Sequence, residues 1–102
     1  MDHLQELRLE IDDIDHQLTA LFECRMNTVL EIAAYKQANS LPVSHPGREQ
    51  QVLECCVEQL ENKAFSQALT EWMKKTIALS CAEQNRFLAS EKASPPMSSS
   101  TL

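Results

Sequence analysis

Residues 4–35 read LQELRLEIDDIDHQLTALFECRMNTVLEIAAY, and their apolar side chains recur every three or four residues. This spacing aligns them along one side of a single continuous helix, as in a coiled-coil seam. No Gly or Pro interrupts residues 2–39, and Asn39 ahead of Pro42 signals the helix end. We therefore predict a helix of about 37 residues, roughly 55 Å long at 1.5 Å per residue.

Two shorter helices follow the long one. Pro46 suits the first turn of a helix, and apolar residues continue at helical spacing to about Glu61. A third helix is predicted from about Phe65 to Ser90 on the same kind of pattern. The predicted fold class is therefore all-α, with three helices of which one is very long.

The composition favours one small helical domain. The chain of 102 residues has a single Gly, against about seven expected from average usage. Because tight turns in sheets rely on Gly for positive φ, the composition argues against an all-β or dinucleotide-binding fold. We assign residues 1–91 to the helical domain, and the Ser/Pro-rich residues 92–102 to a disordered tail or a linker.

The charge balance argues against polyanionic partners. Nine Lys and Arg face 15 Asp and Glu, for a net charge of −6. Nucleic acids and anionic membranes bind surfaces of the opposite sign, so neither is an expected partner. The N-terminus lacks the apolar run of a signal peptide, and no 18 apolar residues are consecutive. We expect a cytoplasmic protein.

The cysteines carry no recognisable metal or disulfide pattern. Cys24, Cys55, Cys56 and Cys81 match neither a zinc-site spacing nor a disulfide framework. In a reducing compartment we expect reduced thiols with packing roles, and no metal.

Two short helices cannot cover the whole of the long one. In a single chain its apolar seam would be exposed along much of its length. This predicts an antiparallel homodimer formed through the first helix. The alternative is a long helical hairpin with one uncovered end.

Cations occupy the apolar side of the first helix. At about 100° per residue, Arg25 and Lys36 lie in the middle of the apolar arc and Arg8 lies at its edge. Charged groups are rarely buried without a partner, because their desolvation is costly. In the simpler explanation, these cations pair with acids or extend to solvent.

Further polar residues interrupt the same apolar surfaces. Thr28 lies on the seam of the first helix, and Ser80 and Gln84 lie one turn apart on the third. The predicted core holds few acids to satisfy these donors. A small anionic ligand would satisfy all of them.

The spacing of the cations predicts a shared site. Arg25 and Lys36 are roughly 16 Å apart along the axis, so their long side chains can approach one small molecule from two ends. Arg8 lies roughly 25 Å away in the other direction, too far to join them within one chain. In an antiparallel dimer the partner's Arg8 could reach the ligand, giving two composite sites.

The second helix offers another pair of charges. Arg48 and Glu49 occupy its predicted first turn. Glu49 there either complements the helix dipole beside a solvated Arg48, or both residues join the site.

These features together resemble the AroQ class of chorismate mutases over residues 4–88. The matching pattern is L-R-x-x-I-D-x-I-D from Leu7 to Asp15, followed by Arg25, Lys36, Pro42-Val43, Arg48-Glu49 and S-x-x-x-Q from Ser80 to Gln84. The resemblance implies an intertwined all-helical dimer that isomerises chorismate to prephenate by a [3,3]-sigmatropic shift, at the branch leading to phenylalanine and tyrosine. It also implies that no cofactor and no covalent intermediate are used.

The resemblance implies a role for each matching residue. Arg25 and the partner's Arg8 would clamp the two substrate carboxylates, with help from Arg48 and Ser80. The remaining roles fall to Lys36 and Gln84, which would donate to the ether oxygen, and to Glu49, which would accept from the ring hydroxyl. Because Gln84 does not titrate, activity should persist at neutral pH, unlike that of family members with Glu there.

His45 departs from the pattern. It stands where some members carry Asp, and a neutral imidazole accepts through only one nitrogen. A lone His in a loop is more often a helix-start or surface residue. We therefore treat His45 as a doubtful member of the site.

Three other functions stay open on the sequence. The resemblance also permits an isochorismate pyruvate lyase, and C-A-E-Q at Cys81 to Gln84 is similar to a lyase stretch, although Ser80 and Arg48-Glu49 favour the mutase. A non-catalytic helical dimerisation or regulatory module would tolerate apolar replacement of Arg25 and Lys36. The Ser/Pro-rich tail also permits the front domain of a larger enzyme of the aromatic pathway.

Overall fold

The computed structural model describes residues 2–93, with side chains through residue 90. Three α-helices are present, α1 (His3–Ala38), α2 (Pro46–Gln59) and α3 (Ser66–Ala93), and a 3₁₀ turn at Lys63–Phe65 precedes α3. All regular structure in this range is helical, which confirms the predicted class. Among the described helices, none combines the length with the apolar character that a bilayer crossing requires.

Local hydrogen bonds set the ends of α1. At the start, Oδ1 of Asp2 accepts from the Gln5 backbone N–H at 2.8 Å, as an N-cap should. At the end, Ser40 has a φ of 55°, and the following Leu41 N–H donates to the Lys36 carbonyl at 2.8 Å. This left-handed turn closes the helix ahead of Pro42, one residue before the predicted boundary.

The second helix is shorter than predicted. The backbone becomes extended at Leu60, with a ψ of 131°, so α2 ends at Gln59 rather than Glu61. The Lys63 ammonium donates to the carbonyls of Val57 and Glu58, each at 2.8 Å. These bonds satisfy carbonyls that the helix leaves unpaired at its end.

The third helix is longer than predicted. It runs to Ala93 rather than Ser90, because the first helix-breaking residue after Ser90 is Pro95. It therefore crosses the predicted boundary between residues 1–91 and 92–102. Residues 94–102 lie outside the described part of the chain, and the disordered tail stays a prediction.

The core is small and lies around α3. This helix packs against α1 and α2. Val29, Ala33 and Met73 are the buried apolar residues of the described chain. The predicted inner side of α2 is half-buried; its residues are Val52, Leu53, Cys56, Val57 and Leu60.

The N-terminal half of α1 extends beyond this core. Every residue from Asp2 to Cys24 is exposed, including Ile11 at 54% and Leu21 at 66% of full exposure. The described chain is accordingly elongated, with dimensions of 60 × 35 × 15 Å. The single chain thus leaves its apolar seam open, as predicted.

The four cysteines are free thiols, but their surroundings differ. Cys56 and Cys81 are half-buried, whereas Cys24 and Cys55 are exposed. Cys24 and Cys55 have no packing role within the single chain, contrary to the prediction, because both are exposed. Adjacent helical positions are about 100° apart, so Cys55 faces outward where Cys56 packs.

Candidate active site

A cavity of about 340 Å³ lies where the three helices meet. This volume is in the range of small-molecule sites. The walls combine apolar and charged side chains; they are Arg25, Val29, Ile32, Lys36, Val43, His45, Arg48, Glu49, Val52, Ile77, Ser80, Cys81 and Gln84.

The structure brings most of the predicted site residues together here. The long helix α1 supplies Arg25 and Lys36, one on either side of the buried Val29 and Ala33. The first turn of α2 supplies Arg48 and Glu49, the loop before it supplies His45, and α3 supplies Ser80 and Gln84. Residues from the three helices and from the loop before α2 thus converge on one cavity.

Arg8 is the predicted site residue that does not line this cavity. It is exposed on the uncovered half of α1, where it borders a shallow surface depression formed by neighbouring residues of the same helix. A single chain therefore holds an incomplete version of the predicted site.

Arg25 is held in place by a hydroxyl rather than a carboxylate. Its guanidinium donates to Oγ of Ser80, and the Ser80 hydroxyl donates to the Thr76 carbonyl at 2.8 Å. In the described part of the chain, no acid lies within ion-pairing distance of Arg25. The remaining guanidinium donors are free to bind an anion.

Lys36 is likewise not neutralised by an acid. Its ammonium donates to the Val43 carbonyl at 2.7 Å, and the side chain is half-buried. An ammonium carries three donors, so this contact fixes the position of Nζ and leaves two donors for a ligand.

Gln84 is a buried amide with unused hydrogen-bonding capacity. Only 6% of the residue is exposed, and its Oε1 atom has no hydrogen-bond partner. Buried polar groups in folded proteins are nearly always paired. Gln84 is an exception to this rule, and the hydrogen-bonding capacity that the core leaves unused belongs to a residue of the cavity wall.

The first turn of α2 presents one cation and the one carboxylate of the cavity wall. The Arg48 guanidinium is exposed and donates to Oε1 of Gln51 at 2.8 Å. On Glu49, Oε2 accepts from the Ser44 hydroxyl and the His45 backbone N–H, each at 3.4 Å. With Arg25 and Lys36, the walls carry three cations against one carboxylate. The cavity therefore favours a ligand with negative charge.

His45 caps α2. Its Nδ1 atom accepts from the Arg48 backbone N–H at 3.0 Å, and Pro46 follows as the first helical residue. This contact fits the interpretation of His45 as a helix-start residue, although its side chain also borders the cavity. Its effect on the site is to fix the turn that carries Arg48 and Glu49.

Thr28 does not belong to the site. Its hydroxyl donates to the Cys24 carbonyl one turn earlier, at 3.0 Å, and the residue is exposed. The prediction that it adds a donor to the core is wrong, because a helical Thr satisfies its hydroxyl on its own backbone.

Cys81 is a cavity residue that the sequence reasoning assigned only to packing. Its thiol contacts Oε2 of Glu49 at 3.7 Å. Burial raises the pKa of the Cys81 thiol, the Glu49 carboxylate raises it further, and Lys36 opposes the shift. The sequence signal that could have identified Cys81 as a cavity residue is its position between Ser80 and Gln84.

Comparison with known families agrees with this geometry. Residues 7–85 match the family described as chorismate mutase type II. The chain belongs to this family. The match includes the whole of α2, most of α1 and α3, and every residue of the cavity wall. Chorismate mutases are isomerases, so this family relationship assigns the chain to that enzyme class.

A curated relative of this chorismate mutase type II chain is the T-protein of Haemophilus influenzae. The two are 32% identical over 88 residues, which is 85% of this chain. The chain spans 23% of the length of that relative.

Proposed function

We propose that this chain isomerises chorismate to prephenate, at the branch leading to phenylalanine and tyrosine. The observation that carries the proposal is the charge of the cavity wall. Its three cations are Arg25, Lys36 and Arg48, and its one carboxylate is that of Glu49. Within the described residues, none of the three cations forms an ion pair with an acid. Chorismate is a small dicarboxylate with a ring hydroxyl. Its two negative charges and its one donor complement this arrangement.

The reaction suits a site without a nucleophile. A [3,3]-sigmatropic shift breaks an ether C–O bond while a C–C bond forms in the same molecule. No proton or group leaves, so the protein needs neither a general base nor a cofactor for the step. Catalysis then rests on holding the substrate in a compact chair and on stabilising the negative charge that gathers on the ether oxygen.

The arginines bind the carboxylates in this proposal. Ser80 holds the Arg25 guanidinium at the cavity wall, so little side-chain freedom is lost when a carboxylate binds. Arg48 lies at the exposed rim and exchanges its contact with Gln51 for one with the second carboxylate. Bidentate pairing of guanidinium with carboxylate fixes orientation as well as charge.

Lys36 and Gln84 act on the ether oxygen. The contact of Lys36 with Val43 positions its ammonium before the substrate arrives, and Gln84 contributes an amide N–H. Both donors are in place before charge develops, so they need no reorganisation in the transition state. Glu49 accepts the hydrogen bond of the ring hydroxyl.

The complete enzyme is an antiparallel homodimer in this proposal. Pairing of two α1 helices would cover the seam that is exposed from Asp2 to Cys24. It would also bring the partner's Arg8 to the open side of the cavity. Each dimer would hold two composite sites.

The proposed cellular location is the cytoplasm. Four free cysteines, of which Cys55 is exposed on α2, suit a reducing compartment. Fractionation of the native cell with detection of this chain checks the location.

Turnover of purified protein tests the activity. We expect chorismate to yield prephenate, and Arg25→Ala to lower kcat/KM by roughly 10²-fold or more, as for loss of a partly buried charge partner. Arg86→Ala is the matched control, because Arg86 pairs with Glu83 on the exposed side of α3. It should retain the wild-type rate.

Other outcomes identify the competing functions. Pyruvate and salicylate from isochorismate, with no prephenate from chorismate, would establish a lyase. A wild-type protein that turns over neither substrate, and that gains stability from Arg25→Leu and Lys36→Met, would be a dimerisation module.

A further inference from the structure

We propose that Cys81 is a positioning residue of the candidate active site: its thiol donates from α3 to Oε2 of Glu49, and so directs Oε1 of that carboxylate to the ring hydroxyl of the substrate. The proposal rests on the proposed function. It adds a residue and a contact that the predicted set of site residues lacks.

The contacts of Glu49 are unevenly distributed between its two oxygens. The Ser44 hydroxyl, the His45 backbone N–H and the Cys81 thiol all lie against Oε2, at 3.4, 3.4 and 3.7 Å. In the described residues, no protein donor contacts Oε1. A carboxylate with one oxygen held and the other free is oriented to accept a single hydrogen bond from a ligand.

Cys81 is the one of these three donors that comes from another helix. Ser44 and His45 belong to the loop that leads into α2, and they move with Glu49 if that loop moves. Cys81 belongs to α3, 32 residues further along the chain. Its contact therefore sets the carboxylate relative to Ser80 and Gln84, which lie on the same helix.

The thiol is suited to this contact because it stays protonated. Glu49 is half-buried and has no cation within ion-pairing distance in the part of the chain that the structure describes. Burial and the Glu49 charge raise the pKa of the Cys81 thiol. At neutral pH the group is therefore a neutral donor, and no second anion forms beside the substrate.

Gln84 independently indicates that this wall faces a ligand. It lies one turn beyond Cys81 on α3, it is more than nine-tenths buried, and its Oε1 lacks a partner. The contact between Cys81 and Glu49 thus lies beside a second polar group with unused hydrogen-bonding capacity.

Kinetic variants test the role of the donor. Cys81→Val removes the S–H at similar volume, and Cys81→Ser keeps a hydroxyl donor. We expect the Val variant to raise KM for chorismate roughly three- to tenfold with a smaller change in kcat, the effect of one hydrogen bond. The Ser variant should stay within about twofold of wild type, as should the exposed control Cys55→Ala.

A double-mutant cycle separates positioning from packing. If Cys81 acts through Glu49, then Cys81→Val should change KM no further in a Glu49→Gln background. An equal effect of Cys81→Val with and without Glu49→Gln would overturn the proposal. So would a Ser variant as impaired as the Val variant.

Alkylation gives a readout that does not depend on turnover. The rate of iodoacetamide labelling at Cys81, followed by peptide mass spectrometry, reports the thiolate fraction. We expect Glu49→Gln to shift the pH profile of labelling at Cys81 to lower pH, and to leave that of Cys55 unchanged. An unshifted profile would show that the contact is absent.

The two proposals fail in different ways. No prephenate from wild-type protein overturns the proposed function, whatever the alkylation profile. Normal turnover with wild-type kinetics in Cys81→Val overturns only the role of Cys81.

Discussion

Two buried polar side chains distinguish the site from an ordinary helical core. Ser80 is 5% and Gln84 is 6% exposed, whereas Leu79 on the same helix is exposed at 41%. Burial of polar groups costs free energy unless they are paired. Ser80 offsets this cost through its hydrogen bonds with Arg25 and Thr76, whereas Oε1 of Gln84 has no partner.

Gln84 should make activity independent of pH near neutrality. An amide does not titrate, so its N–H donates to the ether oxygen at every pH. In Gln84→Glu, a carboxylate at neutral pH would repel the developing charge, and donation would require its protonation. We expect kcat of this variant to fall about 10²-fold at pH 7.5 and to recover as the pH is lowered.

The control for this experiment is Gln84→Leu, which should be slow at every pH. The wild-type rate should vary little between pH 6 and pH 8. A sharp wild-type loss in that range, or a Glu variant with a flat profile, would contradict the role of Gln84.

The site residues that could be predicted are those that break a helical pattern. Arg25, Lys36, Ser80 and Gln84 stood out because each places a polar group on an otherwise apolar side, and all four line the cavity. Thr28 gave the same signal falsely, since a hydroxyl can bond to its own helix. Spacing along a helix does not show which polar residues satisfy themselves locally.

The contact between Cys81 and Glu49 was beyond the reach of such patterns. It joins two residues that are 32 positions apart in the chain and lie on different helices, so it depends on how α2 and α3 dock. A thiol is also weakly polar and commonly buried. The position of Cys81 between Ser80 and Gln84 indicated that it lies near the site, but a thiol does not stand out from the apolar residues of a helical pattern.

At the scale of elements, the start of α2 decides where two site residues point. Arg48 and Glu49 lie within the first turn, directly after His45, Pro46 and Gly47. The His45 imidazole supplies the cap through the Arg48 N–H at 3.0 Å. Gly47 adds backbone freedom in this turn, so the hydrogen bond to the cap restrains a segment with more accessible backbone conformations.

Removal of this cap should weaken both folding and binding. We expect His45→Ala to lower the free energy of unfolding by about 1 kcal/mol, as for other N-caps, and to raise KM for chorismate more than it lowers kcat. Urea denaturation and steady-state kinetics measure the two effects.

Asparagine is the matched replacement for this cap, because its side-chain oxygen can accept the same N–H. His45→Asn should therefore keep both stability and KM. If Ala and Asn behave alike, His45 contributes through something other than the cap.

Helix ends were predicted to within a few residues, and the differences have local causes. The bonds from Lys63 to the carbonyls of Val57 and Glu58 accompany the early end of α2. The absence of a breaker before Pro95 in the sequence lets α3 continue to Ala93. The helical pattern of the sequence predicts that a helix is present, but hydrogen bonds from side chains to the backbone decide where its last turn ends.

At the scale of the whole molecule, the described chain is elongated and its cations are unevenly distributed. The described chain has a radius of gyration of 18.4 Å, against about 13 Å for a compact domain of this size. Of nine cations in the sequence, Arg25, Lys36 and Arg48 line the cavity. The rest of the surface is therefore more acidic than the net charge of −6 indicates, and the cavity wall is cationic.

Mixed dimers give the sharpest test of the composite site. Arg8→Ala and Lys36→Ala homodimers should each be nearly inactive, because each lacks one residue at both sites. A dimer with one chain of each kind holds one intact site, built from Lys36 of the first chain and Arg8 of the second. Random exchange in an equal mixture makes half of the dimers mixed, so about a quarter of wild-type activity should return.

The control mixture joins Arg25→Ala with Lys36→Ala. Both residues line the cavity within one chain, so every site in that mixture lacks one of them and no activity should return. Recovery only in the pair with Arg8→Ala would show that Arg8 acts across the interface. Equal behaviour of the two mixtures would show that it does not, and the exposed half of α1 would then need an explanation other than a shared site.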